Sequence, residues 1–297
     1  CSSRADKKTA PCTQALLDAG IGRVIVGGID PDPRHHGRGL AELAAAGIEV
    51  FDGVLPDACT AINRPFARWL TLDRPWTIAK WAMTLDGKTA TRTGDSRWIS
   101  GEQARTQVHT LRSRVDGVVV GFRTAVADDP DLTVRHVDGQ HPVRLVVDPR
   151  GELRPESRLA QTANDIPVWA LVREDAAPHR LDALERQGVV IVRIPSNESA
   201  VAARGRGLDV AAAWRELRHR GMRRLLVEGG GRLLARLLAA ECVDQTLCYV
   251  APKIVGGVDA ASPVAGRGAA RMDEAMPFAE SYVAVCGDDV AIGSFRL

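Results

Sequence analysis

Short apolar segments that alternate with helical segments constrain the fold of this chain more than any other feature of its sequence. Each apolar segment has the length of one buried strand and is separated from the next by turn residues or by an amphipathic helical pattern. This alternation predicts an α/β sheet domain of roughly 220 residues. The predicted strands span residues 77–83, 117–121, 143–148, 167–172, 189–193, 224–228 and 245–251, and a last pair, 281–286 and 289–295, forms a hairpin. The predicted helices span residues 101–114, 176–187, 208–219 and 230–240.

The first 70 residues show the same alternation on a smaller scale. The segment Leu70–Pro75 places a proline just before an apolar strand, which is typical of a domain boundary. The sequence therefore predicts two domains, residues 1–73 and 74–297. Within the first, helices are predicted at residues 13–19, 39–46 and 56–69, and strands at 23–27 and 48–51.

The charge balance excludes some classes of partner. Of the 297 residues 39 are basic and 37 acidic, and the formal net charge of +2 predicts no broad basic surface for nucleic acid. No apolar run approaches the roughly 18 residues of a membrane helix, and no secretory pattern opens the chain. We expect a cytoplasmic protein without membrane contact. Because the chain begins with Cys1 rather than Met, we also expect that an N-terminal segment is missing.

Lys80 is the unusual residue of the first strand predicted in the larger domain. It alternates with Ile78 and Ala82 on one face of the strand, among neighbours that are apolar on both faces. A lysine in this pattern either points into a cleft or extends toward solvent at the edge of a sheet. The Asp86-Gly87 pair that follows predicts a turn in which the carboxylate has a structural role.

Two more polar stretches follow along the chain. The first is Gly94–Ser100, in which the ring of Trp98 either stacks on a ring of a bound ligand or fills the core. The second, Asp128–Arg135, ends on an arginine that comes from a different element than the helical Arg112. Two arginines that converge can bind a phosphomonoester through bidentate, charge-assisted hydrogen bonds, although either one alone would be an ordinary surface residue.

Three glycines, Gly229–Gly231, lie where a buried strand ends and an amphipathic helix begins. Backbone N–H groups and the positive end of the helix dipole face outward at such a junction, and missing side chains let a phosphate approach. A tight turn without a ligand is the alternative. The preceding Glu228 would repel a phosphate, so its carboxylate is expected either to contact hydroxyl groups or an amine of another ligand, or to cap the helix.

These stretches, in this order and together with the later Ala251–Gly257 segment, resemble the reductase domain of the bifunctional riboflavin biosynthesis deaminase/reductase family. The resemblance extends from Trp76 to the C-terminus. It implies a dihydrofolate-reductase-like α/β domain with a mixed sheet. It also implies that NADPH reduces the ribosyl group of 5-amino-6-(5-phosphoribosylamino)uracil to a ribityl chain, and that the protein is a homo-oligomer.

The resemblance implies roles for individual residues as well. Lys80 and Asp128 are the implied catalytic residues, since a hydride delivered to a carbonyl-like carbon leaves negative charge that needs a nearby donor. The implied cofactor-binding residues are Ala82, Trp98, Thr124, Asp128, Pro149, Gly230, Gly231, Arg232, Leu233 and Leu234. The implied substrate-binding residues are Ser96, Arg112, Leu132, Arg135 and Glu228.

Residues 1–73 resemble the C-terminal part of the same family's cytidine-deaminase-like zinc domain. Cys1 and Cys12 match its two thiolate ligands, but no H-x-E motif precedes them to supply the third ligand and the proton-shuttling glutamate. We therefore expect an incomplete zinc site and no deaminase activity from the chain as given. A zinc aminohydrolase with an upstream H-x-E segment and a non-catalytic nucleotide-binding module are the alternatives to the reductase.

Overall fold

The computed structural model describes residues 10–195 and 207–296. The chain divides into two compact units, Cys1–Asp73 and Arg74–Leu297. Among the described residues, none of the helices combines the length and the apolar character that a membrane crossing requires.

The first unit contains a small parallel sheet. Strand β1 (Arg23–Ile25) pairs with β2 (Glu49–Phe51) in a register that puts Val24 beside Val50. Parallel neighbours need a crossover connection, and helix α2 (Arg38–Ala45) provides it. Helix α1 (Cys12–Asp18) precedes β1, and helix α3 (Pro56–Thr71) follows β2. The assignment of this unit to a cytidine-deaminase-like fold stays a prediction.

The second unit is built on a mixed sheet that has nine strands within the described part of the chain. These are β3 (Trp76–Thr84), β4 (Gly117–Gly121), β5 (Val143–Val147), β6 (Val168–Arg173), β7 (Val190–Ile194), β8 (Arg224–Glu228), β9 (Gln245–Ala251), β10 (Ala279–Cys286) and β11 (Asp289–Phe295). Their order across the sheet is β10, β11, β9, β3, β8, β4, β5, β6, β7. Strands β3 to β9 run parallel, and β10 and β11 form an antiparallel hairpin at one edge. The predicted mixed-sheet α/β fold is confirmed.

Helices cover the sheet of the second unit. They are α4 (Glu102–Arg112), α5 (Phe122–Asp128), α6 (Arg158–Gln161), α7 (Pro178–Arg186), α8 (Val210–His219) and α9 (Gly231–Ala239), with a 3-10 helix at Met272–Glu274. Helices α5 and α6 were not predicted from the sequence. With seven and four residues they are too short for a helical period to show.

Both faces of the sheet are buried, which gives the second unit two cores. Val118 and Val120 of β4 pack into one cluster, while Val119 between them packs into the other. Leu226 and Leu225 of β8 divide in the same way. A strand that is buried on both faces reads as an uninterrupted apolar run rather than as an alternation. This is why β4 and β8 were recognisable from their sequence.

The carboxyl ends of several neighbouring strands meet at one edge of this sheet. Strands β3, β8, β4 and β5 are adjacent and parallel, so the segments that follow them open on the same side. Open α/β sheets bind ligands outside the carboxyl ends of their strands. Glu228 ends β8 and Lys80 pairs with it, so both of these residues lie toward this edge.

Candidate active site

A buried ion pair lies at the carboxyl end of β8. The parallel register of β3 and β8 places Lys80 beside Glu228, and Lys80 Nζ is 3.8 Å from Glu228 Oε2. Their side chains are only 16% and 8% exposed. Burial lowers the pKa of Lys80, and the charge of Glu228 opposes this shift. Because β3 lies between β8 and β9, the alternative that Lys80 extends toward solvent at a sheet edge is wrong.

Arg112, at the end of α4, completes this charged cluster. Its Nε and Nη2 donate to the two carboxylate oxygens of Glu228 at 2.5 and 3.0 Å. Burial alone would raise the pKa of Glu228, but the charges of Arg112 and Lys80 outweigh it and lower that pKa. Glu228 does not cap the following helix, as one alternative had it, because α9 has Gly230 at its N-cap and no side-chain cap.

The segment Thr133–Arg135 is held in place by side chains. Arg112 Nη1 donates to its first carbonyl oxygen at 2.8 Å. His109 Nδ1 accepts the N–H group of its third residue at 3.0 Å, and His141 Nδ1 accepts the N–H group of its second residue at 3.1 Å. The segment is thereby tied to the same helix that carries the charged cluster.

His109 was missed by the sequence-based reasoning. It is buried, and burial, followed by the charges of Arg112 and Arg135, lowers its pKa from 6.5 to about 4. The neutral imidazole is the form that can accept a hydrogen bond at Nδ1. Its position three residues before Arg112, on the same face of an amphipathic helix, is the signal that could have revealed it.

Arg135 and Arg112 have different partners in the structure. Arg135 is exposed, and its Nη1 donates to Asp131 Oδ2 at 2.6 Å. Arg112 is buried against Glu228, so the alternative that it is an ordinary surface residue is wrong. Asp131 still connects them, because its charge adds to that of Glu228 in raising the pKa of Arg112 against the effect of burial.

The glycine turn between β8 and α9 has two residues in the left-handed region, Gly229 and Gly230, both with φ of 86°. A Cβ atom on Gly230 would lie 3.2 Å from Thr124 Oγ1, and one on Gly231 would lie 3.0 Å from the Pro263 carbonyl oxygen. The packing of the protein itself therefore leaves little room for a side chain at either position. Helix α9, nine residues long, begins at this turn with no side-chain cap from the described residues, and N–H groups at such a helix start can bind an anion.

Three of the implied ligand-binding leucines have buried side chains. Leu132, Leu233 and Leu234 are 4%, 6% and 1% exposed and belong to the hydrophobic clusters. A ligand contact from these residues would have to come from the backbone. At Leu132 the backbone has an unusual conformation, with φ of 54°.

Trp98 is exposed, so the alternative that it fills the core is wrong. The residue is 65% exposed. The Arg105 guanidinium lies over its ring, 4.6 Å from the ring centroid. Lys253 Nζ donates to the Trp98 carbonyl oxygen at 2.6 Å and fixes the backbone at this point. Ser96, two residues earlier, is half-buried.

The remaining implied residues lie on several different elements. Ala82 is half-buried on β3, Pro149 is half-buried after β5, and Arg232 is exposed in the first turn of α9. Asp128 ends α5, and its carbonyl oxygen accepts a hydrogen bond from Arg97 at 2.9 Å. Desolvation of its carboxyl group raises the pKa of Asp128, and the charge of Arg97 opposes this shift.

Asp86 has the structural role predicted for it. Its Oδ1 accepts the Thr84 hydroxyl at 2.6 Å, and its Oδ2 accepts the Gly256 N–H group at 2.7 Å. The Thr84 bond, followed by the backbone bonds, lowers the pKa of Asp86 to about 2. The carboxylate thus ties the turn after β3 to the segment after β9.

The described residues contain no group of three or more potential metal ligands. Cys12, one of the two predicted zinc ligands, is exposed. Cys1, the other one, lies outside the described residues. The zinc site of the first unit stays a prediction.

Comparison with known proteins identifies the family. Residues 75–287 match the family described as RibD C-terminal domain. The chain is 34% identical over 286 residues to the riboflavin biosynthesis protein RibD of Actinobacillus pleuropneumoniae, a match that covers 96% of this chain and 74% of that protein. It is 32% identical to the protein of the same name from Aquifex aeolicus, over 96% of this chain and 76% of the relative.

Solved structures agree with this result. A diaminohydroxyphosphoribosylaminopyrimidine deaminase/5-amino-6-(5-phosphoribosylamino)uracil reductase from Thermotoga maritima superposes with a TM-score of 0.78 at 28% identity, covering 98% of this chain and 76% of that one. RibD from Acinetobacter baumannii superposes with a TM-score of 0.76 at 26% identity, covering 99% and 78% of the two chains. The chain therefore belongs to the RibD family of riboflavin biosynthesis proteins, and its second unit is the RibD C-terminal domain.

Proposed function

We propose that this chain is an NADPH-dependent reductase that converts 5-amino-6-(5-phosphoribosylamino)uracil into its ribitylamino product. The observation that carries the proposal is the direct continuity of two features: the buried cluster of Lys80, Arg112 and Glu228, and the glycine turn that follows Glu228 and opens α9. One is suited to a reacting polar substrate and the other to a phosphate-bearing cofactor. The related protein from Thermotoga maritima is described as a reductase for this substrate.

NADPH supplies the hydride when it is bound. The residues present fit such a cofactor, since the uncapped start of α9 offers backbone N–H groups and the positive end of the helix dipole to its phosphates. We assign Gly230, Gly231 and Arg232 to these phosphates, with backbone contributions from Leu233 and Leu234. The other residues assigned to the cofactor are Ala82, Trp98, Thr124, Asp128 and Pro149.

The substrate is assigned to the opposite side of the charged cluster. Arg135 is exposed enough to bind a phosphate, and Ser96 and the backbone of Leu132 are further polar contacts. Glu228 is already paired with Arg112 and Lys80, so we assign to it the orientation of those two cations as well as contact with substrate hydroxyl groups. A carboxylate between two cations fixes both of them before substrate binds.

Proton supply is assigned to Lys80 and Asp128. Reduction leaves negative charge on the atom bonded to the reduced carbon, and donation of a proton by Lys80 Nζ would neutralise it. Burial makes the Lys80 ammonium a stronger acid than an ordinary lysine, because its pKa is lowered. Desolvation acts in the opposite direction on Asp128 and raises its pKa, so that this carboxyl group holds a proton more readily.

The proposal is tested by measuring NADPH oxidation with the ribosylaminouracil phosphate as substrate. We expect substrate-dependent oxidation of NADPH and a product that contains two additional hydrogen atoms. Lys80→Gln is expected to lower turnover by about a hundredfold or more. Lys88→Gln, at a lysine whose Nζ lies 3.5 Å from the Ala260 carbonyl oxygen, is the control that should retain it. A protein that binds NADPH by fluorescence but turns over no substrate would instead be a non-catalytic nucleotide-binding module.

We also propose that the protein is a homo-oligomer, in which a second copy covers β10. This strand is at the edge of the sheet, and its Tyr282, Val283 and Val285 are 42%, 68% and 82% exposed. An uncovered edge with apolar side chains on both faces favours association. Light scattering of the wild type and of Val283→Lys tests this: the variant should have the lower mass if β10 is the interface.

A further inference from the structure

Asp131 is the common partner of two exposed arginines. Arg135 Nη1 donates to its Oδ2 at 2.6 Å, and Arg158 Nη1 lies 3.4 and 3.3 Å from its Oδ1 and Oδ2. The two guanidinium groups come from different elements, since Arg135 follows α5 and Arg158 opens α6. They nevertheless lie within reach of a single small anion.

Hydrogen bonds hold the backbone of Arg158 and of Asp131 in place. The Arg158 N–H group donates to Asp129 Oδ1 at 2.9 Å, and Asp129 itself has φ of 38°. The Asp131 carbonyl oxygen lies 3.4 Å from Nη1 of the buried Arg144. The backbone is therefore anchored at both Asp131 and Arg158. The charged groups stay accessible, since the side chains of Arg135 and Arg158 are 50% and 60% exposed.

We propose that Asp131 occupies the position of the substrate phosphate in the unliganded protein, and that Arg158 is a second arginine of the phosphate subsite beside Arg135. This proposal rests on the proposed function, because it places the phosphate of a phosphoribosyl compound at this point. A phosphomonoester carries up to two negative charges and three acceptor oxygens, whereas Asp131 carries one charge and two oxygens. The phosphate is thus the better ligand for two guanidinium forks and displaces Asp131.

The position agrees with the geometry of the rest of the site. Asp131 is two residues before Thr133, whose carbonyl oxygen binds Arg112, and Arg112 binds the Glu228 carboxylate next to Lys80. In a phosphoribosyl substrate the phosphate and the reacting carbon are at opposite ends of a five-carbon chain. The arginine pair and Lys80 are likewise connected through a short series of contacts rather than in direct contact.

The test is equilibrium binding of ribose 5-phosphate, measured by calorimetry on the full chain without NADPH. Arg158→Gln should weaken binding about tenfold. Arg154→Gln removes the same charge from an exposed arginine four residues earlier and should change the dissociation constant less than about twofold. Asp131→Asn should tighten binding by about threefold, because the competing charge is removed, and Asp138→Asn on the same loop is its control.

Equal effects of Arg158→Gln and Arg154→Gln on the dissociation constant would overturn the proposal. Weaker binding by Asp131→Asn would overturn it too, since Asp131 would then position Arg135 rather than compete with the phosphate for it. The absence of saturable ribose 5-phosphate binding by the wild type would overturn it as well. Failure of the proposed function is a separate result, seen as wild-type binding of ribose 5-phosphate with no oxidation of NADPH in the presence of the full substrate.

Discussion

Lys80 and Glu228 lie opposite each other on neighbouring parallel strands, with the ammonium and carboxylate groups 3.8 Å apart and mostly buried. Arg112 holds the same carboxylate through two hydrogen bonds. One anion therefore orients two cations at the carboxyl edge of the sheet. A buried pair of this kind is weak evidence for a purely stabilising role, because desolvation offsets most of the Coulomb attraction. Its location beside the glycine turn supports a role in catalysis.

Removal of the Lys80 ammonium should reduce turnover without loss of cofactor binding. Lys80→Gln should lower kcat by about a hundredfold or more, the usual contribution of a positioned general acid. Lys80→Arg restores the charge but not a dissociable proton near neutral pH, so it should not restore the rate. The measurements are steady-state kinetics and NADPH fluorescence titration. Wild-type kcat in Lys80→Arg would show that only the charge of this residue matters.

Glu228 should set the alkaline limit of activity. Burial lowers the pKa of Lys80 below 10.5 and the Glu228 charge opposes this, so kcat should fall as pH rises through the lowered pKa. Glu228→Gln removes the opposing charge, and the alkaline limb should move to lower pH. The profile of kcat against pH for this variant is compared with that of Glu102→Gln, an exposed glutamate in the first turn of α4. An alkaline limb that does not move would contradict the assignment of Lys80 as the acid.

His109 should make stability depend on pH. Burial lowers its pKa from 6.5 to about 4, so between these values the unfolded chain binds more protons than the folded one. The contribution is fully present above pH 6.5 and is lost as the pH falls toward about 4. His109→Asn keeps an acceptor near the Arg135 N–H group but does not titrate. Urea unfolding at the two ends of this range should show a smaller loss for the variant than for the wild type, and equal losses would falsify the account of His109.

A side chain at Gly230 should weaken cofactor binding for a reason other than the strain of its positive φ. Gly230→Ala introduces a Cβ atom 3.2 Å from Thr124 Oγ1 at a position with φ of 86°. Gly221→Ala is the matched control, with φ of 90° and, among residues 10–195 and 207–296, no atom within 4 Å of the new Cβ. Both should lose about 1 kcal/mol of stability from the left-handed conformation. Only Gly230→Ala should weaken NADPH binding, and equal dissociation constants for the two variants would show that the turn does not contact the cofactor.

The fold was largely predictable because strands buried on both faces leave a strong signal. Four strands have the bounds predicted from the sequence: Gly117–Gly121, Arg224–Glu228, Gln245–Ala251 and Asp289–Phe295. Helices α5 and α6 gave no periodicity, and strand order across the sheet cannot be read from local patterns.

The candidate site was predictable by residue type but not by partner. Lys80, Arg112 and Glu228 were singled out, yet Glu228 is more than a hundred residues from both cations in sequence. Its pairing with Lys80 depends on the register between β3 and β8, and its pairing with Arg112 depends on the position of α4. His109 was missed since a histidine within an amphipathic helix is unremarkable until its acceptor role is seen. Arg158 was missed because α6 was not recognised. Asp131 lies inside the Asp128–Arg135 stretch, but no role was predicted for it.

The central claim, reduction of a phosphoribosyl substrate at the edge where Lys80 and Glu228 meet, is tested most directly by isotope transfer. Wild-type protein is incubated with the ribosylaminouracil phosphate and NADPH that carries deuterium at the reactive carbon of its nicotinamide ring, and the product is examined by mass spectrometry and NMR. We expect one deuterium on the carbon that joined the ribosyl group to the amine, and about a hundredfold less labelled product over the same time with Lys80→Gln. A product without deuterium, or NADPH that stays unoxidised while bound, would contradict the account.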